Sequence, residues 1–480
     1  MKLKELVAGV KIIKSVGNLD LEVKDVVCDS KDVTTGSTFI CLVGENFDGH
    51  DYVRQVEHYG CVAVITQKEI KTNLTQIVVK DTRKAMSIIA SNFYSHPEKE
   101  LLLIGVTGTN GKTTTSHLIG SCINNNGISC GVIGTLGTYY NNTFINPTLT
   151  TPDPLVLYKI FREMVDNGVK VVVMEVSAHA SFLSKLENLE FEVGIFTNFS
   201  QDHLDFFGNM ESYKRAKIKF FTDNKIKYAV LNSDDQVALE IGKKVKKPIY
   251  YGLENPADVF AIDIEQKDNK THFVLNLCDS VNFCNTNLLG KYNVYNALAC
   301  VTACAVIGIP TKKIVEGLTN ASQVKGRLEK VYSKDFSVII DYAHTPDGLE
   351  KCLSAVKEGC SGKLICVFGC GGNRDSDKRS KMGLISGSIA DFTVITSDNP
   401  RYEEPMEIIW QIEKGVLNVT KNYVIVQERK QAIEYAINMA KPNDVILVAG
   451  KGSENYQEVL GIKKPYNDKD TIDEIIRGLH

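Results

Sequence analysis

The stretch IGVTGTNGKTTT, residues 104–115, decides how the rest of the chain is interpreted. An apolar run, Leu101–Val106, leads into it, and a helical pattern follows it. In this order of strand, glycine-bearing loop, Gly-Lys-Thr and helix, backbone N–H groups and the helix N-terminus form an anion cradle. Lys112 can reach the terminal phosphates of a nucleotide, and the Thr113 hydroxyl can bind Mg²⁺. A strict Walker motif would have glycine at Val106, so this is a variant form, and a glycine- and threonine-rich turn without a ligand is the alternative interpretation.

Apolar runs alternate with helical segments on both sides of this loop, a pattern typical of largely parallel sheets with helices on both faces. We therefore predict an α/β fold of three consecutive α/β domains, with a mostly parallel P-loop-type sheet in the centre and a Rossmann-like domain at the C-terminus. The predicted domains are 1–98, 99–325 and 326–480, with a break near His96-Pro97-Glu98 and another near Gly326. The predicted buried strands are 37–43, 61–66, Leu101–Val106, Val171–Glu175, Val193–Asn198, Tyr228–Asn232, Ser337–Tyr342, Lys363–Phe368, Phe392–Thr396 and Val445–Ala449. Short alternating strands are expected from Asp258 to Leu289, followed by a helix from Asn293 to about Ile307.

Composition narrows the functional class. A length of 480 residues suggests about three domains, and a formal net charge of −3 does not favour a nucleic-acid or membrane-surface binder. The 13 cysteines are odd in number and form no Cys-x-x-Cys pair, although Cys300 and Cys304 share one helix face. We expect buried, reduced core thiols rather than a metal or disulfide site, in a reducing compartment. Without a signal-like N-terminus or an 18-residue apolar run, we expect a cytoplasmic protein with no membrane insertion.

The loop TGTNGKTTT resembles the phosphate loop of the Mur ligases and of their folylpolyglutamate synthetase relatives. The resemblance continues through all three predicted domains. It is carried by MEVSAHA (174–180), FTNFSQDHLDFFG (196–208), YKRAK (213–217), KYNVYNALA (291–299), KGRLE (325–329), DYAHTPD (341–347), FGCGGNRDSDKR (368–379), SDNPRYEEP (397–405) and GKGSENYQ (450–457). It implies an ATP-dependent ligase that adds meso-diaminopimelate to UDP-MurNAc-L-Ala-D-Glu through an acyl phosphate, in peptidoglycan precursor synthesis. ATP, Mg²⁺ and small-molecule substrates are the implied partners, and a monomer is expected.

The resemblance also implies roles for residues around the nucleotide. ATP would contact Gly108, Thr109, Asn110, Gly111, Lys112, Thr113, Thr114, Asn293, Asn296, Arg327 and Asp341. Thr113, Glu175 and His203 would be metal ligands, and Lys217 would carry a CO₂-derived carbamate that also binds metal. Lys112, Glu175, His203 and Lys217 are therefore the catalytic candidates. Taken singly, each has a structural alternative. Glu175 and His203 could be structural hydrogen-bonding groups, Lys217 a solvated helix lysine and Asn293 a helix cap.

Two further groups are assigned through the same resemblance. The incoming amino acid would contact Arg374, Asp398, Asn399, Pro400, Arg401, Gly450 and Glu454, with Arg401 gripping the distal carboxylate of diaminopimelate. The UDP-sugar peptide would lie on the first domain and contact Ser30, Thr150, Thr151, Ser177 and Lys185. A DNPR turn with a solvated arginine is the alternative for the first group.

Some residues depart from the usual family pattern: Ala178, Leu183, Lys185, Phe207 and Ser453. Several lie where the muramyl dipeptide is expected, so another carboxylate acceptor stays open as an alternative. L-lysine as the incoming amino acid is a further alternative. A polyglutamate synthetase would need neither the first domain nor DNPR. A regulatory P-loop NTPase would turn over nucleotide without acceptor and amine together. A dinucleotide-binding oxidoreductase would need G-x-G-x-x-G, which residues 369–374 do not supply.

Overall fold

The computed structural model describes residues 1–44, 47–267, 270–277 and 280–478. Its strands form three large sheets and one small hairpin, in chain order. Helices flank each of the three sheets, so the α/β fold with three consecutive sheets, predicted from the sequence, is confirmed.

The first sheet has five strands in the order β1-β5-β4-β3-β2. All neighbours are parallel except β1, which runs antiparallel to β5. The strands are β1 Ile12–Val16, β2 Asp25–Val27, β3 Ser37–Ile40, β4 Ala63–Thr66 and β5 Thr75–Val79. The helices are α1 Leu3–Leu6, α2 Val53–His58 and α3 Thr82–Phe93, with 3-10 turns at Ser30–Asp32, Gly49–Tyr52 and Pro97–Lys99. The Asp81 carboxylate accepts hydrogen bonds from the Arg83 and Lys84 backbone N–H groups, which fixes the start of α3.

The central sheet has eleven strands in the order β16-β15-β14-β13-β12-β11-β6-β10-β7-β8-β9. The run from β14 to β7 is parallel, and antiparallel strands extend the sheet at both ends. The strands are β6 Leu102–Thr107, β7 Cys130–Gly134, β8 Gly137–Tyr140, β9 Thr143–Ile145, β10 Val171–Glu175, β11 Glu190–Phe196, β12 Lys225–Asn232, β13 Pro248–Gly252, β14 Val259–Lys267, β15 Lys270–Leu277 and β16 Ser280–Thr286. The helices are α4 Lys112–Asn125, α5 Pro154–Asp166, α6 Ala178–Phe182, α7 Leu204–Phe207, α8 Met210–Asp223, α9 Gln236–Gly242, α10 Lys291–Val306 and α11 Thr311–Asn320.

Alternate residues of β6 show how this sheet is buried on both faces. Ile104 and Val106 belong to the core that also holds residues of α4, α10 and α11, whereas Leu103 belongs to the core with residues of α5 and α8. A strand covered on both sides has no polar face, which explains the uninterrupted apolar run before the loop. The carboxyl end of this central strand is therefore where the loop emerges.

The third sheet has six strands in the order β17-β18-β22-β19-β20-β21, parallel except for β17. Its strands are β17 Glu329–Ser333, β18 Ser337–Asp341, β19 Leu364–Phe368, β20 Phe392–Ile395, β21 Tyr423–Ile425 and β22 Val445–Ala449; β23 Tyr456–Val459 and β24 Ile462–Pro465 form the hairpin. The helices are α12 Pro346–Glu358, α13 Asp377–Ile389, α14 Pro405–Val416, α15 Arg429–Met439 and α16 Asp468–Gly478.

Every predicted buried strand coincides with or overlaps an observed strand, and the largest differences are at strand ends. The strand predicted at Val193–Asn198 spans Glu190–Phe196, because its first residues pair with β12 at the sheet margin. The boundaries at 98 and 325 stay predictions. The described cysteines are all free and, apart from Cys28 and Cys360, buried, whereas Cys278 lies outside the described residues. Among the described residues, no helix has the length and apolarity needed to cross a bilayer.

Candidate active site

The phosphate loop turns from β6 into α4 with two glycines in conformations that other residues rarely adopt. Gly108 has φ +144° and Gly111 has φ +86°. A Cβ at Gly108 would lie 1.8 Å from the Thr197 hydroxyl, and one at Gly111 would lie 2.3 Å from Asn296 Oδ1. The loop backbone therefore approaches its neighbours more closely than a side chain allows. The exposed N–H groups at the start of α4, a helix of 14 residues, form an anion site.

Side chains from the carboxyl end of β11 hold this loop. The Thr197 hydroxyl donates to Asn110 O over 2.6 Å, and the Asn110 N–H donates to Asn198 Oδ1 over 3.0 Å. Ser200 N–H donates to the Thr109 hydroxyl over 3.0 Å. Thr197, Asn198 and Ser200 were not assigned from the sequence, although they lie in the quoted FTNFSQDHLDFFG motif.

Lys112 and Thr113 occupy the first turn of α4. The Lys112 Nζ donates to Gly108 O over 3.0 Å and to Thr109 O over 2.7 Å, so the side chain folds back over the loop. Burial lowers the pKa of Lys112. The Thr113 hydroxyl accepts a hydrogen bond of 3.1 Å from Arg327 Nη2, so the structure brings these two predicted nucleotide contacts together. Thr114, the next residue, is buried.

The other predicted nucleotide contacts differ in position. Asn293 Nδ2 donates to Leu289 O over 2.7 Å and does not cap the helix, and Asn296 Nδ2 donates to Asn293 Oδ1 over 2.8 Å. Asn296 Oδ1 accepts from the Thr115 hydroxyl over 3.3 Å, which places it against the phosphate-loop helix. The Asp341 carboxylate accepts from the Leu328 and Ala343 N–H groups, both over 2.7 Å, and burial raises its pKa.

A cavity of about 320 Å³ lies beside α4. It is lined by His117 and Ser121 from that helix, Tyr139 from β8, and Gln323 and Lys325 from the segment leading to the third sheet. Burial, followed by the charge of Arg327, lowers the pKa of His117 to about 4. The neutral imidazole therefore lines a space close to Arg327. Asn293 and Asn296 do not line this cavity.

Glu175 ends β10 one strand away from the loop. Its Oε1 accepts from the Thr135 N–H over 2.9 Å, and its Oε2 accepts from the Thr135 hydroxyl over 3.2 Å. The Thr150 hydroxyl lies 3.1 Å from the Thr135 hydroxyl, and the Thr151 hydroxyl, 3.3 Å from Ser177 Oγ, donates to Glu175 O over 2.8 Å. Three of the residues predicted to contact the sugar peptide thus surround the candidate metal ligand.

The other two sugar-peptide candidates lie further out. Lys185 pairs with Asp153 at 2.8 Å, two residues after Thr151. Ser30 lies in the 3-10 turn Ser30–Asp32 of the first domain. Within the described part of the chain, no hydrogen bond joins Ser30 to the group around Glu175.

His203 lies in a left-handed turn with φ +54° before α7. Burial lowers its pKa to about 3, and the charges of Lys112 and Lys217 act in the same direction against that of Asp202. Its Nε2 lies 3.3 Å from Asp202 Oδ2, and the same carboxylate oxygen lies 3.7 Å from His344 Nε2 of the third domain. The imidazole is therefore neutral at physiological pH and free to offer a nitrogen lone pair.

Lys217 is 1% exposed, which excludes the solvated helix lysine as an interpretation. Its Nζ lies 4.7 Å from the centroid of the Tyr213 ring, and no carboxylate of the described residues forms an ion pair with it. Burial, followed by the charge of Lys112, lowers its pKa well below the ordinary value. A lysine in this position is readily present as the neutral amine.

The two arginines predicted for the amino acid meet at one glycine. A Cβ at Gly371 would lie 2.9 Å from Arg401 Nη1 and 3.8 Å from Arg374 Cγ. Arg374 Nη1 pairs with Asp205 Oδ2 at 2.7 Å, two residues after His203. Arg374 therefore reaches the turn that carries the candidate metal ligand, and Arg401 lies beside it at Gly371.

Arg401 is held by the β23–β24 hairpin. Its Nε donates to Glu458 Oε2 over 3.2 Å, and its Nη1 donates to Gly372 O over 2.7 Å. Its backbone has φ +52°, and its N–H and C=O bond to Glu458 O and Leu460 N–H. Glu458 was missed from the sequence, because no spacing signal links it to Arg401.

The remaining amino-acid candidates form a buried network. Asn399 Nδ2 donates to Glu454 Oε2 over 2.9 Å, and Lys451 Nζ donates to Asn399 Oδ1 and Glu454 Oε2 over 3.0 and 2.9 Å. A Cβ at Gly450, which has φ +114°, would lie 2.7 Å from Asp398 Oδ2. Pro400, the next residue of DNPR, packs its C=O against Gly372. Lys451, fully buried, was not assigned from the sequence.

The residues present fit a nucleotide and a magnesium ion. The glycine cradle at the start of α4 leaves room only for backbone N–H groups, which suit phosphate oxygens. The Thr113 hydroxyl and the Glu175 carboxylate are the hard oxygen donors that Mg²⁺ prefers. Lys217 as a free amine would be a poor ligand beside them.

Comparison with known proteins gives matches along the whole chain. The family descriptions "Mur ligase family, catalytic domain", "Mur ligase middle domain" and "Mur ligase, glutamate ligase domain" match residues 22–94, 106–304 and 326–452. UDP-N-acetylmuramoyl-L-alanyl-D-glutamate–2,6-diaminopimelate ligase 1 of Clostridium acetobutylicum is 43% identical over 486 residues, covering 100% of both chains. The ligase of the same description from Clostridioides difficile is 40% identical, covering 99% of each chain.

Solved structures are also similar to this chain over nearly its whole length. A UDP-N-acetylmuramoyl-L-alanyl-D-glutamate–2,6-diaminopimelate ligase has a TM-score of 0.72 and 28% identity, covering 100% of this chain and 99% of that chain. The MurF ligase of Thermotoga maritima in complex with ADP, at 18% identity and a TM-score of 0.66, shares the fold over 95% of this chain and 97% of its own. With full-length relatives above 40% identity and three family descriptions matched in order, the chain belongs to the Mur ligase family.

Proposed function

We propose that this chain is the ATP-dependent ligase that adds meso-diaminopimelate to UDP-MurNAc-L-Ala-D-Glu in peptidoglycan precursor synthesis. The observation that carries the proposal is the Arg374–Asp205 ion pair. It joins the two-arginine group of the third domain to the turn that holds His203, so the amine and the activated carboxylate can meet in one cleft. The names of the full-length relatives support the same substrates.

The reaction has two steps. A carboxylate oxygen of the acceptor attacks the γ-phosphorus of ATP, forming an acyl phosphate and releasing ADP. The amine nitrogen of diaminopimelate then attacks the acyl carbon, the amide bond forms, and inorganic phosphate leaves while the nitrogen gives up a proton. Both anions of the first step repel each other, so cations must neutralise them. Lys112 and Arg327, which approach the loop from two domains, supply that charge.

Thr113, Glu175 and His203 would hold Mg²⁺, which when bound neutralises phosphate charge. The chain's own contribution is to orient these donors. Thr135 fixes both oxygens of Glu175, and Asp202 lies beside the His203 ring. The loop glycines would let backbone N–H groups hold the phosphates, and Thr151 and Ser177 place hydroxyl groups near Glu175, on the side where the acceptor carboxylate would lie.

Lys217 would carry a carbamate, formed when its neutral amine attacks CO₂ and releases a proton. Its burial, and the absence of an ion pair with a carboxylate of the described residues, support this, because the neutral amine is the reactive species. The modification would replace a neutral amine near Lys112 by an anion that could bind magnesium. The carbamate would also attract the Lys112 ammonium.

Arg401 would bind the distal carboxylate of the amino acid. Its guanidinium is oriented by Glu458 and Gly372 O, and Nη2 makes no protein hydrogen bond among the described residues. A lysine substrate would bring an ammonium group to the same place, where the arginine repels it. Asp398, Asn399, Gly450 and Glu454 would surround the amino end.

The UDP-sugar would lie on the first domain near Ser30, with the peptide reaching Thr150, Thr151, Ser177 and Lys185. The departures at Ala178, Leu183, Lys185 and Phe207 lie close to the acceptor end, so a different carboxylate acceptor is the second candidate. The proposal places the enzyme in the cytoplasm, acting as a monomer.

Phosphate release coupled to a substrate screen tests the proposal. We expect release only when ATP, Mg²⁺, UDP-MurNAc-L-Ala-D-Glu and diaminopimelate are all present. We expect none from Lys112→Ala, because the Lys112 ammonium folds back over the phosphate loop and Arg327 alone does not replace its charge there. Lys414→Ala, a lysine on α14 of the third domain, is the control. Equal release without acceptor or amine would identify a plain NTPase, and release with another carboxylate would identify the other acceptor.

A further inference from the structure

Three cysteine thiols meet in the core of the central domain. Cys122 lies on α4, the helix that begins with Lys112, and Cys300 and Cys304 lie one turn apart on α10, the helix that carries Asn296. The Cys300 and Cys122 sulfurs are 3.7 Å apart, and those of Cys300 and Cys304 are 4.0 Å apart. All three ligand atoms lie within 4.8 Å of one another. In the described ranges, no other three His, Cys, Asp or Glu side chains bring their ligand atoms this close together.

This spacing suits an ion bound at the centre of three sulfurs. Metal–thiolate bonds of about 2.3 Å place the sulfurs of a planar three-sulfur site about 4 Å apart, and a pyramidal site brings them slightly closer together. The observed separations are therefore close to those of an occupied three-sulfur site. Cys300 and Cys304 are held one turn apart on α10, and packing of α4 on α10 fixes the position of Cys122.

The surroundings decide which ion the site can take. The three thiols are fully buried, and the cluster around them consists of apolar side chains and further thiols, including Ile119, Val301 and Leu318. A net charge left in such a core is costly. A divalent ion with three thiolates carries one negative charge and a monovalent ion carries two, whereas a trivalent ion gives a neutral complex. Structural zinc sites also use four protein ligands, and only three are present here.

We propose that Cys122, Cys300 and Cys304 form a site for one trivalent thiophilic ion, of the chemical class of arsenite. The reaction is an exchange without oxidation: three As–O bonds of arsenous acid break, three As–S bonds form, and the three thiol protons leave with the hydroxides as three water molecules. The product is neutral and pyramidal, and the lone pair of arsenic needs no fourth ligand from the apolar core.

All three thiols lie at the contact between α4 and α10. Because all three sulfurs are buried, binding requires transient separation of α4 from α10 and is slow.

Occupancy would join the helix of the phosphate loop to the helix of Asn296 through three bonds. A ligand that binds only the folded state raises its thermal stability by mass action. The full chain, reduced and then incubated with sodium arsenite alone, should bind one arsenic per chain by native mass spectrometry and melt at a higher temperature. X-ray absorption at the arsenic edge should show three sulfur neighbours.

Single substitutions locate the site. Cys304→Ala and Cys300→Ala should each weaken arsenite binding by more than the roughly 10- to 100-fold lost when an outer-shell partner of a metal site is removed, and should abolish the rise in melting temperature. Cys366→Ala, which removes a buried thiol from β19 in the third domain, should leave arsenite binding and the rise in melting temperature unchanged. Circular dichroism tests whether each variant is folded. If either Cys304→Ala or Cys300→Ala is unfolded, the other variant and the X-ray absorption spectrum of the wild type test the site.

Three results would each overturn the site: no arsenic retained by the wild type, equal retention by Cys304→Ala, or fewer than three sulfur neighbours. The last would indicate surface capture by a half-buried thiol such as Cys28 or Cys360. None of these measurements depends on ligase activity, so the result is independent of the proposed function.

Discussion

The guanidinium of Arg327 donates a hydrogen bond of 3.1 Å to the Thr113 hydroxyl, although 214 residues separate the two in the chain. The same guanidinium lies 4.3 Å above the Tyr342 ring, which fixes its plane. A magnesium ion bound by the Thr113 hydroxyl, as proposed, would share this oxygen with Arg327. Nucleotide binding and the placement of the third domain would then be linked through a single hydroxyl group.

The close approach at Gly111 gives the first prediction. In Gly111→Ala the new Cβ would lie 2.3 Å from Asn296 Oδ1, so we expect the loop to shift and the KM for ATP to rise at least on the order of 10-fold. Gly127→Ala is a matched control, because Gly127 also has positive φ, +79°, but has open space around its Cβ position. Both variants should lose about 1–2 kcal/mol of stability from the left-handed backbone. Equal ATP affinity in the two variants would contradict the cradle.

Lys217 gives the second prediction. Carbon-13 NMR of protein equilibrated with labelled CO₂ should show one carbamate, and activity should fall when CO₂ and bicarbonate are removed. Because burial lowers the lysine pKa, the reactive neutral amine persists to lower pH than in an exposed lysine, and is lost as the pH falls below that lowered pKa.

Lys217→Ala should lose most activity and recover part of it with a small added carboxylate that fills the anion position. Lys219→Ala, on the same helix but 32% exposed in its side chain, should retain activity. Full wild-type activity in CO₂-free buffer, with no carbamate signal, would remove the modification from the mechanism.

Arg401 gives the third prediction. Loss of one partner from a buried arginine–carboxylate pair costs ~2–5 kcal/mol, roughly 30-fold to several thousand-fold in affinity. Arg401→Ala should lower kcat/KM for diaminopimelate by such a factor with little change in the KM for ATP, and the disadvantage of lysine should shrink. Arg401→Lys, which keeps the charge but not the planar fork, should recover only part of the loss. An unchanged ratio of kcat/KM between the two amino acids in Arg401→Ala would remove Arg401 from the specificity site.

The sequence predicted most of the sheet strands because they are buried on both faces and therefore read as uninterrupted apolar runs. It also predicted the phosphate loop, because Gly108, Gly111 and Lys112 are close neighbours in the sequence and form one motif. Long-range partners were not predictable in the same way. Nothing local to Arg401 indicates that Glu458, from a hairpin 57 residues later, orients it. The burial of Lys217 was also not predictable from local sequence. KRAKIK is a polar stretch, which predicts solvent exposure, and only tertiary packing buries the lysine.

A buried ion pair in the third domain gives the fourth prediction. Arg429 is fully buried, and its Nε and Nη2 both donate to the Asp468 carboxylate over 2.8 Å. Asp468→Ala leaves the buried guanidinium with the more distant Asp398 carboxylate, 4.0 Å from Nη1, and should destabilise the domain by about 3–5 kcal/mol. The exposed pair Lys430–Glu474 is the control, since Glu474→Ala should cost about 1 kcal/mol or less. Urea unfolding followed by circular dichroism measures both, and equal losses would show that the burial of the first pair has no energetic consequence.

The hydrogen bond from Asn110 to Asp347 spans 237 residues. Synthesis on a ribosome proceeds from the N-terminus at about 5–20 residues per second, so roughly 12 to 47 seconds pass between the two residues. For most of that interval the nascent chain carries the phosphate loop without Arg327, and for all of it without Asp347, Arg374 or Arg401. With the proposed function, a half-made enzyme would have the means to hold a phosphate but not to transfer it to a substrate, so the order of synthesis would protect the cell's ATP from an unfinished catalyst.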